Sequence, residues 1–323
     1  MTAMRGPDTS PAGVSVVIPV KDRAGMLAET LRSVAAQTVQ PAEVIVVDDG
    51  SSDDSASVAE RAGATVLRTP AGPVGPSAAR NLALEGVRTE LVCALDSDDL
   101  LLPRMLERLA AALRESPESP FAFARALIAS REAGEWRPRG VIGPREGELE
   151  HPLGALYARN FVPSCAVVAR TAAVREVGAY SLASWFMEDH HLWVRLAGLG
   201  VPAFVPEILS VYREHPGNRH DPVRMRAATE AITDLAADDP RLREFVPERR
   251  GTQFVDLATA ALRRRQPITA ARAAWALVLK EGQRRRTLAA AVRHWRGRRR
   301  TADAALEEWR ADTELRALLA SYR

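Results

Sequence analysis

The chain has 323 residues, 46% hydrophobic and 26% charged, ordinary proportions for a globular protein with a sizeable core. No apolar run approaches the ~18–20 residues that span a bilayer, and two cysteines without metal-ligand spacing argue against a disulfide framework and fit a reducing cytoplasm. The net charge of +3 is unevenly spread: between Arg263 and Arg300 thirteen Lys or Arg face one acidic residue, Glu281, so this stretch carries +12 and the rest −9.

Residues 1–13 are polar and rich in Pro, Gly, Ser and Thr, the pattern of a flexible leader rather than a secretory signal. Val14 to Val20 is a β-branched run, read as a strand buried on both faces. Leu27, Leu31, Val34 and Ala35 then recur at helical spacing. Glu43 to Val47 predicts a second strand, stopping at Asp48-Asp49-Gly50-Ser51-Ser52. A helix over Asp54 to Ala62 and a strand over Ala64 to Leu67 follow. Gly72 to Pro76 is a turn-forming loop, and Ala78 to Gly86 is helical. Leu91 to Leu95 is a fourth strand, ending in Asp96-Ser97-Asp98-Asp99. Pro103 opens a helix with Leu106, Leu109, Ala110 and Leu113 on one face. This alternation predicts a parallel sheet with right-handed crossovers, and such sheets bind ligands at the carboxyl ends of their strands. Both acidic clusters fall there. From Phe121 to Tyr212 the pattern is mixed, with a strand over Ser164 to Ala169 and a helix over Glu188 to Leu199. Beyond Pro222 it is helical, over Asp256 to Arg265, Ile268 to Lys280, Arg286 to Arg296 and Thr301 to Ser321. The expected organisation is a leader (1–13), an α/β domain (14–222) and a basic helical region (223–323).

Four clusters could carry chemistry, each with a plainer reading beside it. Asp96-Ser97-Asp98 places two carboxylates where they could share a hard divalent cation, or where they simply cap the next helix. Asp48-Asp49-Gly50-Ser51 could accept an N–H from a nucleotide base, or form an Asx turn. Asp189 shares a helical stripe with Trp185, Leu192 and Leu196. In the first turn its carboxylate would be held ionised by the helix dipole and could serve as a general base, or act only as a terminal acidic residue. Tyr212-Arg213-Glu214-His215, with Asn218 and His220, could meet a diphosphate or a metal, or form a solvated linker.

In order and spacing these segments resemble the family 2 glycosyltransferases over roughly residues 14–215. The residues that carry the resemblance begin with Val16-Val17-Ile18-Pro19, Leu31-Arg32-Ser33-Val34 and Gln37-Thr38. Glu43 to Ser51, Asp53 and Ser55 follow, then Gly75 with Ala79-Arg80-Asn81, and Leu95 to Asp99. Val177-Gly178, Glu188-Asp189, Leu192-Trp193, Arg195-Leu196, Tyr212-Arg213 and His215 complete the set. The resemblance implies a GT-A fold: a Rossmann-like, mostly parallel sheet flanked by helices, here with a C-terminal helical extension. It implies Mn²⁺ or Mg²⁺ and a nucleotide-diphosphate sugar, by default a UDP-sugar. By matching positions Pro19, Asp48, Asp49, Arg80 and Asp96 form the nucleotide set, with Asp49 or Asp48 on the base and Asp96 on the ribose side. Asp98, Asp96 and His215 form the metal set. Asp189, with Glu188 beside it, is the base that deprotonates an acceptor hydroxyl, with inversion. Two departures stand out. Val20-Lys21-Asp22 replaces the family's aromatic and Asn, and Pro73-Val74 precedes Gly75 where Asn is common.

The resemblance says little about residues beyond 222. The arginine triplets at 263–265, 284–286 and 298–300, with Trp275 and Trp295, fit basic amphipathic helices. These could lie on an anionic membrane surface, grip an acidic partner, or form a solvated cap. The expected location is the cytoplasm, peripheral at the inner face of the membrane, and nucleic acid is not an expected partner. The acceptor could be a glycan, a lipid-linked group, a peptide or a small molecule. A nucleotidyltransferase would carry a Gly-rich loop after the first strand, whereas Pro19 to Gly25 holds one glycine. The remaining alternative is a non-catalytic sugar-nucleotide-binding module.

Overall fold

The run Val14–Val20 becomes β1, with every residue buried. Its one polar side chain, Ser15, is satisfied by the Thr89 hydroxyl at 2.6 Å. The computed structural model describes residues 13–70, 72, 74–184, 186–218, 222–263, 286–294, 307 and 312–321. The other strands are β2 (Glu43–Asp48), β3 (Thr65–Arg68), β4 (Leu91–Ala94), β5 (Leu100–Leu101), β6 (Phe121–Glu132), β7 (Glu135–Ile142), β8 (Val167–Arg170) and β9 (Ala203–Arg213). The helices are α1 (Ala24–Ala35), α2 (Ser55–Arg61), α3 (Pro76–Gly86), α4 (Met105–Glu115), α5 (Pro152–Ala158), α6 (Thr171–Glu176), α7 (Glu188–Ala197), α8 (Pro222–Asp238), α9 (Val246–Arg263) and α10 (Thr313–Ser321).

Two units are distinguished. The first holds the chain up to Arg125, Ser164–Tyr180 and Pro202–Tyr212; the second holds Ala126–Pro163, Ser181–Val201 and the chain from Arg213. In the first, the strand order is β3-β2-β1-β4-β8-β6-β9-β5. The β3-β2-β1-β4 group is parallel, as its alternation with helices requires. The register sets Val20 opposite Asp48 and Val17 opposite Ala94, so β2 and β4 end at one carboxyl edge with their acidic clusters just beyond. β8 runs antiparallel to β4, β6 to β8 and β5 to β9. Helix α3 packs on β1 and β2, while α4 and α6 pack on β8.

The structure narrows some expected elements. Ser164–Ala166 is a 3-10 turn rather than strand, because Ser164 Oγ reaches Asp96 Oδ2 at 3.3 Å and Cys165 Sγ meets Ser210 Oγ at 3.3 Å. Pro103 lies before α4 rather than in it, and its carbonyl accepts the Thr38 N–H at 2.8 Å. Helix α7 stops at Ala197, closed by the Gly198 N–H.

In the second unit, α5, α7, α8, α9 and the 3-10 turn Pro240–Phe245 pack together around Leu156, Tyr157, Leu192, Leu196, Ile232 and Leu242. The part of β6 from Ala126 pairs with β7 through an Ala133-Gly134 turn with φ of 50° and 82°, the two-residue form that matches strand twist. The expected segments Ile268 to Lys280, Trp185, His220, Trp275, Trp295 and most of 1–13 and 263–300 lie outside the described residues. Helical residues 286–294 cross α9 closely at Gly251. A Cβ there would stand 2.6 Å from the Thr287 carbonyl and 2.7 Å from the Ala291 nitrogen. Glycine inside a helix costs about 1 kcal/mol relative to alanine, so the close crossing is what it supplies. Gly251→Ala is therefore expected to lower stability, because overpacking costs about 1–3 kcal/mol and exceeds the propensity gain. Urea unfolding measures this, and an unchanged midpoint would show that the crossing relaxes freely.

Candidate active site

The loop after β4 is held from below by α1. Thr30 and Ser33 lie on the buried face of that helix, and Gln37, also buried, follows just past its end. The Thr30 hydroxyl stands 3.0 Å from the Ser97 carbonyl and 2.8 Å from the Asp99 carbonyl. Ser33 Oγ accepts the Leu101 N–H at 3.1 Å. Gln37 donates to the Leu102 carbonyl at 2.8 Å and accepts from the Leu106 N–H at 3.0 Å. Each contact joins residues more than sixty positions apart and satisfies buried backbone that neither strand nor helix covers.

On this fixed backbone sit three carboxylates. One oxygen from each of Asp96, Asp98 and Asp99 lies within 4.8 Å of the others. The donor set is all oxygen, which suits a hard divalent cation. Like charges this close repel, and two arginines offset that repulsion. Arg80 pairs with Asp96, and its guanidinium lies 5.2 Å from the centre of the Tyr180 ring. Asn81 fixes that tyrosine's backbone through reciprocal bonds of 2.8 and 3.0 Å. Arg23 donates to Asp98 Oδ2 at 2.5 Å. Tyr212 adjoins the cluster, and burial with the charges of Asp99, Asp98 and Asp96 pushes its phenol well up, so it stays protonated. Burial, reinforced by Asp99 and Asp96, likewise raises the Cys165 thiol, and burial pushes Cys93 to about 12. Both cysteines are free and inert.

At the end of β2, Asp48 Oδ1 accepts the N–H of Ser51, three residues on, at 2.9 Å and so closes the turn through Gly50. Asp49 turns to the next loop, accepting from Thr69 Oγ1 at 3.1 Å, the Val74 N–H at 2.8 Å and the Gly75 N–H at 2.9 Å. Gly75 has φ of 90°, a conformation glycine alone adopts cheaply, and it launches α3, which carries Arg80. Pro19 is level with Val47 in the β1–β2 register. Lys21 donates to the Gly50 carbonyl at 2.8 Å. Thus Pro19, Asp48, Asp49, Arg80, Asp96 and Asp98 all belong to the first unit. Thr30, Arg23 and Asp99, to which sequence reasoning gave no site role, join them there, as does Tyr212 from the fourth candidate cluster. The run of three aspartates was the one available signal for Asp99.

The second unit holds Glu188, Asp189 and His215. Glu188 and Asp189 occupy the first turn of α7. Asp189 is half-buried and Asn160 Nδ2 donates to its Oδ2 at 3.2 Å. Glu188 Oε2 accepts the N–H of Phe186, a bulky residue held at φ of 91°. Such backbone costs about 1–3 kcal/mol and gathers at functional turns. His215 donates its N–H to Asn218 Oδ1 at 2.5 Å and accepts the Gly217 N–H on Nδ1 at 3.1 Å.

Behind Asp189, His190 is fully buried and donates from Nε2 to the Leu156 carbonyl at 2.6 Å, which fixes its tautomer. Burial, with Arg249 nearby, pushes its pKa well below the usual value, and burial with Arg195 lowers His191 to about 4.

A family model described as Glycosyl transferase family 2 matches residues 15–179, just over half of the chain. Among similar proteins is a pre-mycofactocin glycosyltransferase of Mycobacterium tuberculosis, 32% identical over 66% of this chain and 45% of its own length. An amylovoran biosynthesis glycosyltransferase of Erwinia amylovora is 28% identical over 60% of this chain and 72% of its own. The chain spans 66%, 38% and 45% of the length of three curated relatives it matches. The fold resembles S. aureus TarS 1-349, solved in complex with UDP-GlcNAc, with a TM-score of 0.58 and 18% identity over 88% of this chain and 92% of that one.

The two histidines of α7 give a pH dependence. The folded pKa of His191 is depressed, so its contribution is present above about 6.5 and is lost as pH falls toward about 4. Between about pH 7.5 and about pH 5 this group alone should cost about 2 kcal/mol of stability. His191→Gln should shrink the difference between those two pH values by about that amount in urea unfolding. An identical pH dependence in the variant would show that His191 titrates normally.

Proposed function

The chain belongs to glycosyl transferase family 2, and from that we propose a metal-dependent, inverting enzyme that moves a sugar from a nucleotide-diphosphate sugar, by default a UDP-sugar, to an acceptor hydroxyl. One observation carries the reading: Asp96, Asp98 and Asp99 bring their carboxylates within 4.8 Å of one another at the carboxyl end of a parallel strand, inside the family-matched region. Asp98 and Asp96 would hold Mn²⁺ or Mg²⁺, with Asp99 completing the oxygen set; His215 remains a proposed further ligand. When bound, such a cation offsets the charge that develops on a departing diphosphate.

The chain's own residues do the rest. Pro19, Asp48, Asp49 and Arg80 receive the nucleotide, with the rim of the base site drawn together by Asp49's bonds to Val74 and Gly75. Asp189 takes the proton of the acceptor hydroxyl as its oxygen attacks the anomeric carbon. The bond to the diphosphate breaks in the same displacement, so configuration inverts. An alcohol is too weak an acid to ionise beforehand, so proton removal accompanies attack. Asp189 stands in the N-terminal turn of α7, and Asn160 orients its carboxylate for this role. The UDP-GlcNAc bound to TarS supports a nucleotide-sugar donor, and the acceptor we propose is a glycan, a lipid-linked group, a peptide or a small molecule.

The expected peripheral contact with an anionic membrane surface through 263–300 has support in residues 286–294. Leu288 and Val292 are 47% and 48% exposed there beside exposed Arg286 and Arg293. Among the described residues no helix is long and apolar enough to cross a membrane.

Donor turnover with water as acceptor separates the roles. Asp98→Asn should abolish the Mn²⁺-dependent part of UDP-sugar hydrolysis. Asp189→Asn should slow turnover about 10²–10⁴-fold while UDP still binds. Wild-type rates in Asp189→Asn would remove the base assignment, and metal-independent hydrolysis in the parent protein would remove the metal.

A further inference from the structure

The two arginines that pair with the aspartate loop are held very differently. Arg80 is 4% exposed on α3, stacked on Tyr180 and fixed through Asn81. Arg23 sits at the N-cap of α1, and its side chain keeps 26% of its surface exposed. Its backbone is tied down at two neighbouring positions. The Arg23 N–H donates to Ser55 Oγ at 3.1 Å, and the next N–H, from Ala24, donates to Asp53 Oδ2 at 2.9 Å. Asp22, at φ of 51°, accepts the Ser52 N–H at 2.6 Å and the Ser52 hydroxyl at 2.9 Å. These bonds fix where the side chain starts, and the partly exposed guanidinium is held through Asp98.

From that anchor it reaches across 75 positions of sequence to a side-chain oxygen of Asp98, whose own side chain is only 10% exposed. A nearly buried carboxylate needs a counter-charge, and Arg23 supplies one on the most exposed arm available. A divalent cation approaching Asp98 Oδ2 meets a group already there.

We infer that Arg23 is the resident counter-cation of Asp98: it holds that carboxylate until a divalent cation displaces it, and so lowers the affinity of the loop for free metal. This rests on the metal reading above and adds a residue which that reading did not use. The physical consequence is competition. Metal binding must break the Arg23–Asp98 pair, and the released guanidinium becomes a mobile positive charge beside the cation. An anion bound at the loop offsets the repulsion between the two. Metal should therefore load more tightly with a nucleoside diphosphate than alone, and Arg23 should supply part of that coupling.

Free Mn²⁺ counted by electron paramagnetic resonance tests this without any turnover measurement. Arg23→Gln should bind Mn²⁺ alone about three- to fivefold more tightly than the parent, the upper part of the range for one partly exposed ion pair. Arg23→Lys, which keeps the charge, should stay within about twofold of the parent. The gain in Mn²⁺ affinity on adding UDP should be smaller in Arg23→Gln than in the parent. Arg23→Met should shift Mn²⁺ affinity in the same direction as Arg23→Gln, which guards against one badly folded protein. Equal or weaker Mn²⁺ binding in both neutral variants, with thermal unfolding as in the parent, overturns the inference and leaves the metal site standing. A parent protein that takes up no Mn²⁺ with or without UDP removes the metal site, and this inference with it.

Discussion

The hydroxyl of Thr30, directed at the carbonyls of Ser97 and Asp99, is the contact on which the acidic loop depends. Three carboxylates within 4.8 Å of one another cannot be placed by local preference, since their charges push the loop open. The restraint comes from α1, a helix adjacent in sequence to β1 and far from the loop. Thr30 and Ser33 on that helix, with Gln37 just past its end, hold the backbone that follows β4. The loop backbone is thus fixed independently of its side chains, leaving the aspartates available for chemistry. Arg80 and Arg23 then offset part of the charge, one buried and one partly exposed.

The parallel part of the sheet was legible in the sequence because its signals are local. Val14–Val20 and Glu43–Asp48 are apolar runs of strand length, and each acidic cluster marks a strand end by stopping the apolar pattern. Helices α1, α3 and α4 follow from apolar periodicity, with ends shifted by a few residues. The strand read over Ser164 to Ala169 was half right. Ser164 and Cys165 look like strand residues by propensity, yet they turn because Asp96 and Ser210 lie beside them.

Long-range pairings were not legible. Nothing in Pro19 to Gly25 announces that Arg23 meets Asp98, and Gln37-Thr38 carried a family likeness without a visible reason. The structure supplies that reason: Gln37 bridges the Leu102 carbonyl and the Leu106 N–H, while Thr38 meets Pro103 and Glu107. Asp49 shows the same limit. Sequence offered a base contact or a turn, and its carboxylate joins its own strand end to the loop before α3. Burial of His190 and His191 was equally hidden, since a helix with polar residues in adjacent positions reads as partly solvated until its neighbours are known.

The central claim is that the aspartates beyond β4 and a divalent cation together receive a diphosphate. Calorimetric titration of UDP into the protein, once with Mn²⁺ and once with a chelator, tests it most directly. The account predicts binding at least about tenfold tighter with Mn²⁺, since a cation held by the aspartates would offset the repulsion between carboxylate and phosphate charges. Equal affinity in the chelator, or no binding in either condition, would contradict it.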